Sequence, residues 1–256
     1  MFCKKEIKFR KHTVLRANTL QEACSVPIEL IELQYDNWSD GIVKGVHISV
    51  TPEALIISPG IIRYRQMLFH MTESVMVAYT SGSKQQSLCI HFGECKENEN
   101  GKYYETDLLL TDNMALRSGD MELARFCLQD GAVLRNDYKN FADLETEYNT
   151  LNYLCAKYAG YKEDTLASVI LEEYAKEAIT CEGLDGIDMT FLAECYRGQN
   201  VSRATIRLYI QQKLHKKIDE NADNKMLYDG LKSVLRQLHT AKRNSVSATG
   251  RRIMID

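Results

Sequence analysis

Hydrophobic and polar positions follow one period up to about residue 160 and another beyond it. In the first stretch the apolar residues come in short runs with a two-residue repeat, the mark of strands whose side chains point alternately to two faces. Residues 26–33 (VPIELIEL), apolar and interrupted by Glu29 and Glu32, read as the first of these. Residues 44–50 alternate as Lys-Gly-Val-His-Ile-Ser-Val and place Val46, Ile48 and Val50 on one face. Pro52 in Thr51-Pro52-Glu53-Ala54 and the triplet Ser58-Pro59-Gly60 then break the chain into short pieces. Residues 54–57, 61–71, 75–80, 87–92, 103–110 and 121–128 are therefore expected as further short strands, with 96–102 (KENENGK) as a polar hairpin loop. Strands this short and this closely spaced point to an antiparallel sandwich or small barrel.

Beyond residue 160 the repeat becomes helical. Leu166, Val169, Ile170, Tyr174 and Ala178 share one face of a helix expected over 163–180. A shorter helix over 187–196 stops at Arg197-Gly198-Gln199-Asn200. Residues 201–218 carry Ile206, Ile210, Leu214 and Ile218 at four-residue intervals, and 224–242 put Leu227, Leu231, Val234, Leu235 and Leu238 on one stripe. Four such helices can bury their stripes as a small bundle. The expected architecture is α+β: a β-rich domain over 1–158, a helical domain over 162–242, and a flexible tail over 243–256 with a strand-like tip. Gly160 lies between the two patterns, as a linker glycine would.

Composition sets the class. Hydrophobic residues make up 45% of the 256 and charged residues 26%, enough apolar material for a real core. Eight cysteines are scattered without a CxxC pair, and several sit in apolar runs, which favours a reduced protein of the cytoplasm or of a particle assembled there. No apolar run approaches the ~18 residues of a membrane helix, and no apolar segment follows the basic start as a secretory signal requires. The net charge of −3 hides an uneven distribution: residues 140–200 hold 4 basic and 12 acidic side chains, residues 201–256 hold 12 and 5. Such blocks can pair with each other or face different partners.

Catalytic signatures are missing. There is no GxSxG and no phosphate-binding GxxxxGK[ST], and Glu172-Glu173 point apart on a helix. Cys89, His91 and Cys95 form the one Cys/His cluster, and no second pair supplies the four ligands of a structural zinc site. His215 and His239 fall near expected helix ends, where a histidine complements the dipole. No catalytic, cofactor or metal residue is assigned, and the chain is read as a non-enzyme. Residues 191–214 (FLAECYRGQNVSRATIRLYIQQKL) resemble a helix-turn-helix, with Ser202 as the cap of the second helix. Arg203, Arg207, Lys213, Lys216 and Lys217, with no acidic residue among 201–218, are candidate contacts for a partner or for nucleic acid. The linker after Ala193 is about three residues longer than the usual tight turn. The competing reading is a bundle helix whose basic face pairs with the acidic helix expected over 163–180.

Residues 38–71 carry Asp40-Gly41, the apolar runs around Val46–Val50 and Leu55–Ile57, and Pro59-Gly60. This order of Asp-Gly, strand, turn, strand and Pro-Gly resembles a module of phage tail and baseplate proteins. Residues 122–147 (ELARFCLQDGAVLRNDYKNFADLETE) resemble proteins of contractile injection particles. The resemblance implies a structural or adaptor subunit that contacts other subunits of a tail-like assembly or copies of itself, and it assigns no functional residue. A DNA-binding regulator using 191–214 is the alternative. The apolar tip Ile253-Met254-Ile255, beside Arg251 and Arg252, is a candidate for docking as an added strand on a neighbour's sheet.

Overall fold

The computed structural model describes residue 14 and residues 16–82, 84–99, 101–112 and 116–248, with side chains up to residue 240. The fold is α+β, with antiparallel strands in three small sheets followed by helices. Before the strands comes α1 (Ala17–Gln34), which takes in the residues 26–33 expected as a strand. An eight-residue apolar run is compatible with either element. The longer window decides: Leu20, Cys24, Ile28 and Ile31 recur at helical spacing, with Glu22 and Glu29 on the opposite side. Pro27 sits inside this helix and removes one backbone donor.

The strands are β1 (Gly41–Gly45), β2 (Ile48–Val50), β3 (Ala54–Ile57), β4 (Gly60–Tyr64), β5 (Met67–Met71), β6 (Val75–Ala78), β7 (Gln85–Asn98), β8 (Gly101–Thr111) and β9 (Asp120–Cys127). They form sheets of order β1-β4-β5, β2-β3-β6 and β8-β7-β9. The run 44–50 is thus two strands in two sheets. The break falls at Gly45 (φ 72°) and Val46 (φ 56°), and a Cβ on Gly45 would lie 2.2 Å from the Pro59 carbonyl oxygen. Gly60 serves the same crossing without a positive φ, because a Cβ there would sit 2.6 Å from the Val46 nitrogen. The single strand expected over 61–71 is a hairpin, β4–β5, turned by Arg65 (φ 48°) and Gln66 (φ 67°). Two consecutive positive φ values make the turn type that hairpins prefer, here without the usual Asn-Gly signal. The polar loop expected over 96–102 is mostly strand: β7 and β8 stay paired to Asn98 and Gly101, which leaves only residues 99–100 between them.

The helices are α2 (Ser168–Ala178), α3 (Gly186–Cys195), α4 (Arg203–Leu214) and α5 (Asn224–Ala248). Residues 163–167, expected at the start of α2, are not helical, and Thr165 bridges Tyr158 instead. α5 continues through 243–248, the first part of the expected tail; residues 249–256 lie outside the described residues.

Strands and helices share one cluster of buried side chains, running from Leu88, Leu123 and Phe126 to Ile170, Ile206, Ile210 and Leu231. A 3-10 turn, Phe141–Glu145, wedges between them. Phe141 packs on Tyr174 and Tyr228, and the Tyr228 hydroxyl donates to the Phe141 carbonyl at 2.7 Å. The segment where the period changes is tied down: Ile42 N–H donates to Lys157 O, Ala159 N–H to Ile42 O, and Ser39 N–H to Gly160 O, each at 2.9 Å. Asn200, ahead of α4, donates at 2.8 Å to the carbonyls of Ile42 and Ala159 and so pins the helical half to β1.

Candidate functional site

The basic helix expected to meet a partner or nucleic acid is α4. Ser202 caps it as anticipated, its hydroxyl accepting from the Thr205 N–H at 3.1 Å. Seven residues separate α3 from α4, with Gly198 at φ 68° among them. Of the five cations, three turn into the fold. Arg203 is buried, and its guanidinium donates at 2.7 Å to the carbonyls of Asp164 and Ala222, and to the side chains of Asp164 and Asn224. Arg207 forms a two-pronged pair with Glu163 at 2.6 and 3.1 Å and also donates to Glu220 O. Lys213 reaches Asp188 at 2.7 Å and Asp185 at 3.1 Å. Lys216 and Lys217 follow the helix, past the left-handed C-cap His215, and are exposed. The cations of α4 therefore do meet the acidic block, through Glu163 and Asp164 ahead of α2 and Asp185 and Asp188 at the start of α3.

Asp188 is the hub of this arrangement and is fully buried. It accepts from the Tyr209 hydroxyl at 2.9 Å, and Tyr209 shares a 2.7 Å hydrogen bond with Tyr174. Together with Asp185 it also closes a capping box at the start of α3. Burial, then the neighbouring Tyr174 and Asp188, push the Tyr209 phenol far above its usual range. Burial opposes the charge on Lys213, but hydrogen bonds to Asp188 and Asp185 outweigh it and hold the ammonium above its ordinary value. A buried carboxylate paired and hydrogen-bonded on both oxygens fixes the α3–α4 geometry.

The Cys/His cluster does not converge. Cys89 is buried in β7, its thiol pushed up to about 12 by burial and then by Glu122. His91 is held by Asp120 at 2.6 Å, and a bulge between Phe92 and Cys95 separates Cys95, which is exposed. Among the described residues no group of three or more such side chains is placed to hold a metal. His239 lies within α5 rather than at its end and bridges Glu177 (2.9 Å) and the Cys181 thiol (3.6 Å).

The feature that residue-type reasoning missed is α1. None of its 18 residues is buried, and Leu20, Ile28, Leu30, Ile31 and Leu33 are 45–70% exposed. It lacks a side-chain N-cap, acidic residues in its first turn and basic residues in its last. Just past its C-terminal end the chain is anchored: the buried Arg63 of β4 donates to the carbonyls of Asp36 (3.0 Å) and Trp38. Taken as a strand, 26–33 conceals the stripe; a longer window over 17–34 exposes it. A second, smaller apolar groove of about 380 Å³ lies between α3 and α4, with exposed Ile187 and Leu208 on its sides. Among the described residues no helix is long and apolar enough to cross a membrane.

No protein-family model matches this chain, and no curated protein matches it. A solved structure entitled "Crystal structure of TssK" is similar over 93% of this chain and 69% of its own, at 8% identity and a TM-score of 0.36. So loose a superposition carries no argument, and the functional reading rests on the chain's own residues.

Proposed function

We propose that this chain is a non-enzymatic structural or adaptor subunit of a phage-like tail or baseplate assembly, acting through contacts with other subunits. The observation that carries the reading is the unburied apolar face of α1. An isolated helix of this length is marginal in water and draws its stability from a packed face. Covering the half-exposed Leu20, Ile28 and Ile31 of that face is worth about 1 kcal/mol apiece, half of full burial. The other side of α1 holds Glu22 and Glu29, Glu32 flanks the stripe, and residues 17–34 contain no Lys or Arg. That charge opposes anionic lipid and nucleic-acid phosphate and favours a protein partner. The resemblance of 38–71 and 122–147 to tail and injection-particle proteins supplies the kind of assembly. For the DNA-binding alternative, the inward pairing of Arg203, Arg207 and Lys213 leaves Lys216 and Lys217 as the outward cations of the five.

Rate-zonal sedimentation of lysate from cells that make the protein tests this. The chain is expected in a fast fraction with a tail-like particle, and Ile28→Glu with Ile31→Glu is expected to shift it to the slow fraction without altering its melting. A parent chain that stays slow and binds duplex DNA with a salt-dependent affinity overturns the proposal.

A further inference from the structure

The sheet orders leave β5, β6 and β8 each at an edge, and all three edges border one cavity of about 670 Å³. Side chains alternate between faces along a strand. A cavity lined by consecutive residues is therefore looking at a strand's edge. Phe69, His70 and Met71 of β5, all four residues of β6, and Thr106, Asp107 and Leu108 of β8 line it in this way. The interior is apolar, with Ile57, Ile62 and Leu123 on its walls. β6 reads Val-Met-Val-Ala and, among the described residues, is paired along one edge by β3, without a bulge, while its other side approaches β8; Met76 is 67% exposed. It carries no charge and no proline, the usual protections of a free edge.

We propose that this opening accepts an extended segment as a strand added along β6, and that the occupant is residues 251–256 of a second copy of this chain. The segment Arg-Arg-Ile-Met-Ile-Asp suits it. With a two-residue repeat, Ile253 and Ile255 enter the apolar cavity while Met254 faces away. Arg251 and Arg252 then lie where the exposed Asp107 of β8 lines the cavity, Glu105 two residues away being paired with Lys96. Backbone pairing satisfies the free edge of β6, and the two isoleucines set the register.

A second copy is the source because of where α5 leads. Ser168, at the start of α2, lies near β1 and β5, whereas Glu177, at its other end, holds His239. α5 continues nine residues past His239 to Ala248, about 13 Å further along its axis and beyond that end of α2. Thr249 and Gly250 add at most about 7 Å of chain. This surface is independent of α1, so either can fail alone.

The test is fluorescence anisotropy of a labelled peptide of residues 249–256 titrated with the full chain. Saturable binding is expected. It is expected to weaken at least tenfold when the peptide carries Ile253→Asp and Ile255→Asp, or when the chain carries Val75→Glu with Met76→Glu, whose melting should match the parent. Ile28→Glu with Ile31→Glu in α1 is expected to leave binding unchanged. Absence of binding, or binding that survives the β6 substitutions, overturns the proposal, as does binding lost only with the α1 substitutions.

Discussion

Replacing Arg203 by Met separates a structural arginine from a DNA contact. The substitution keeps an unbranched apolar stem and removes the guanidinium, which makes two 2.7 Å bonds to backbone carbonyls and further bonds to Asp164 and Asn224. The Ala222 carbonyl belongs to a buried residue and loses its partner outright. Asp164 is 37% exposed and can turn to water, which limits the penalty on that side. Breaking a buried charged pair costs about 3–5 kcal/mol, and the exposure of Asp164 places this case near 3 kcal/mol. For a chain of this size that corresponds to a fall in Tm of about 6–12 °C. Urea unfolding at pH 7 reads the loss directly, with Lys217→Met as a control expected within about 0.5 kcal/mol of the parent. An Arg203→Met chain as stable as the parent refutes the structural assignment; if it has also lost DNA binding, the regulator reading takes its place.

Gly41 sits at φ +145°, and a Cβ there would lie 2.6 Å from the Ala159 nitrogen; Gly41→Ala is expected to lower stability by at least about 1 kcal/mol in the same assay. Tyr209→Phe keeps the 4.0 Å stack on Phe191 but removes the hydroxyl shared by Tyr174 and Asp188, at an expected cost of about 1–3 kcal/mol. The two-pronged bond from Arg135, with further hydrogen bonds from Lys139 N–H and Thr146, holds the Asp143 carboxyl well below its ordinary value. A depressed carboxyl contributes stability above its unfolded pKa, about 3.9, and loses it as pH falls towards the folded value. Unfolding measured from pH 5 downward should therefore show a steeper loss in the parent than in Arg135→Met, and identical slopes would count against the pair.

The α+β order and the later helices were legible because their apolar stripes are long enough to fix the period: α5 with Leu227, Leu231 and Leu238 is the clearest case. The errors fall where local pattern is ambiguous and tertiary geometry decides. Residues 44–50 alternate like one strand, yet Gly45 and Val46 adopt positive φ to pass beneath Pro59, a constraint set by a segment more than ten residues away. The β4–β5 turn uses Arg65 and Gln66, residue types that give no turn signal. At the candidate site, the count of cations on α4 was readable, but their direction was not. Arg203 and Arg207 point inward because Asp164 and Glu163, some forty residues earlier, wait for them.

Coverage of the apolar face of α1 by a partner in the assembly is the central claim. Amide hydrogen exchange over residues 17–34, compared between the free chain and the chain within a purified particle, tests it most directly. In the free chain these amides should exchange within seconds, as expected of a helix without a packed face. In the particle they should slow by a hundredfold or more, with Leu20, Ile28 and Ile31 among the protected positions. Equal and rapid exchange in both states would contradict the claim.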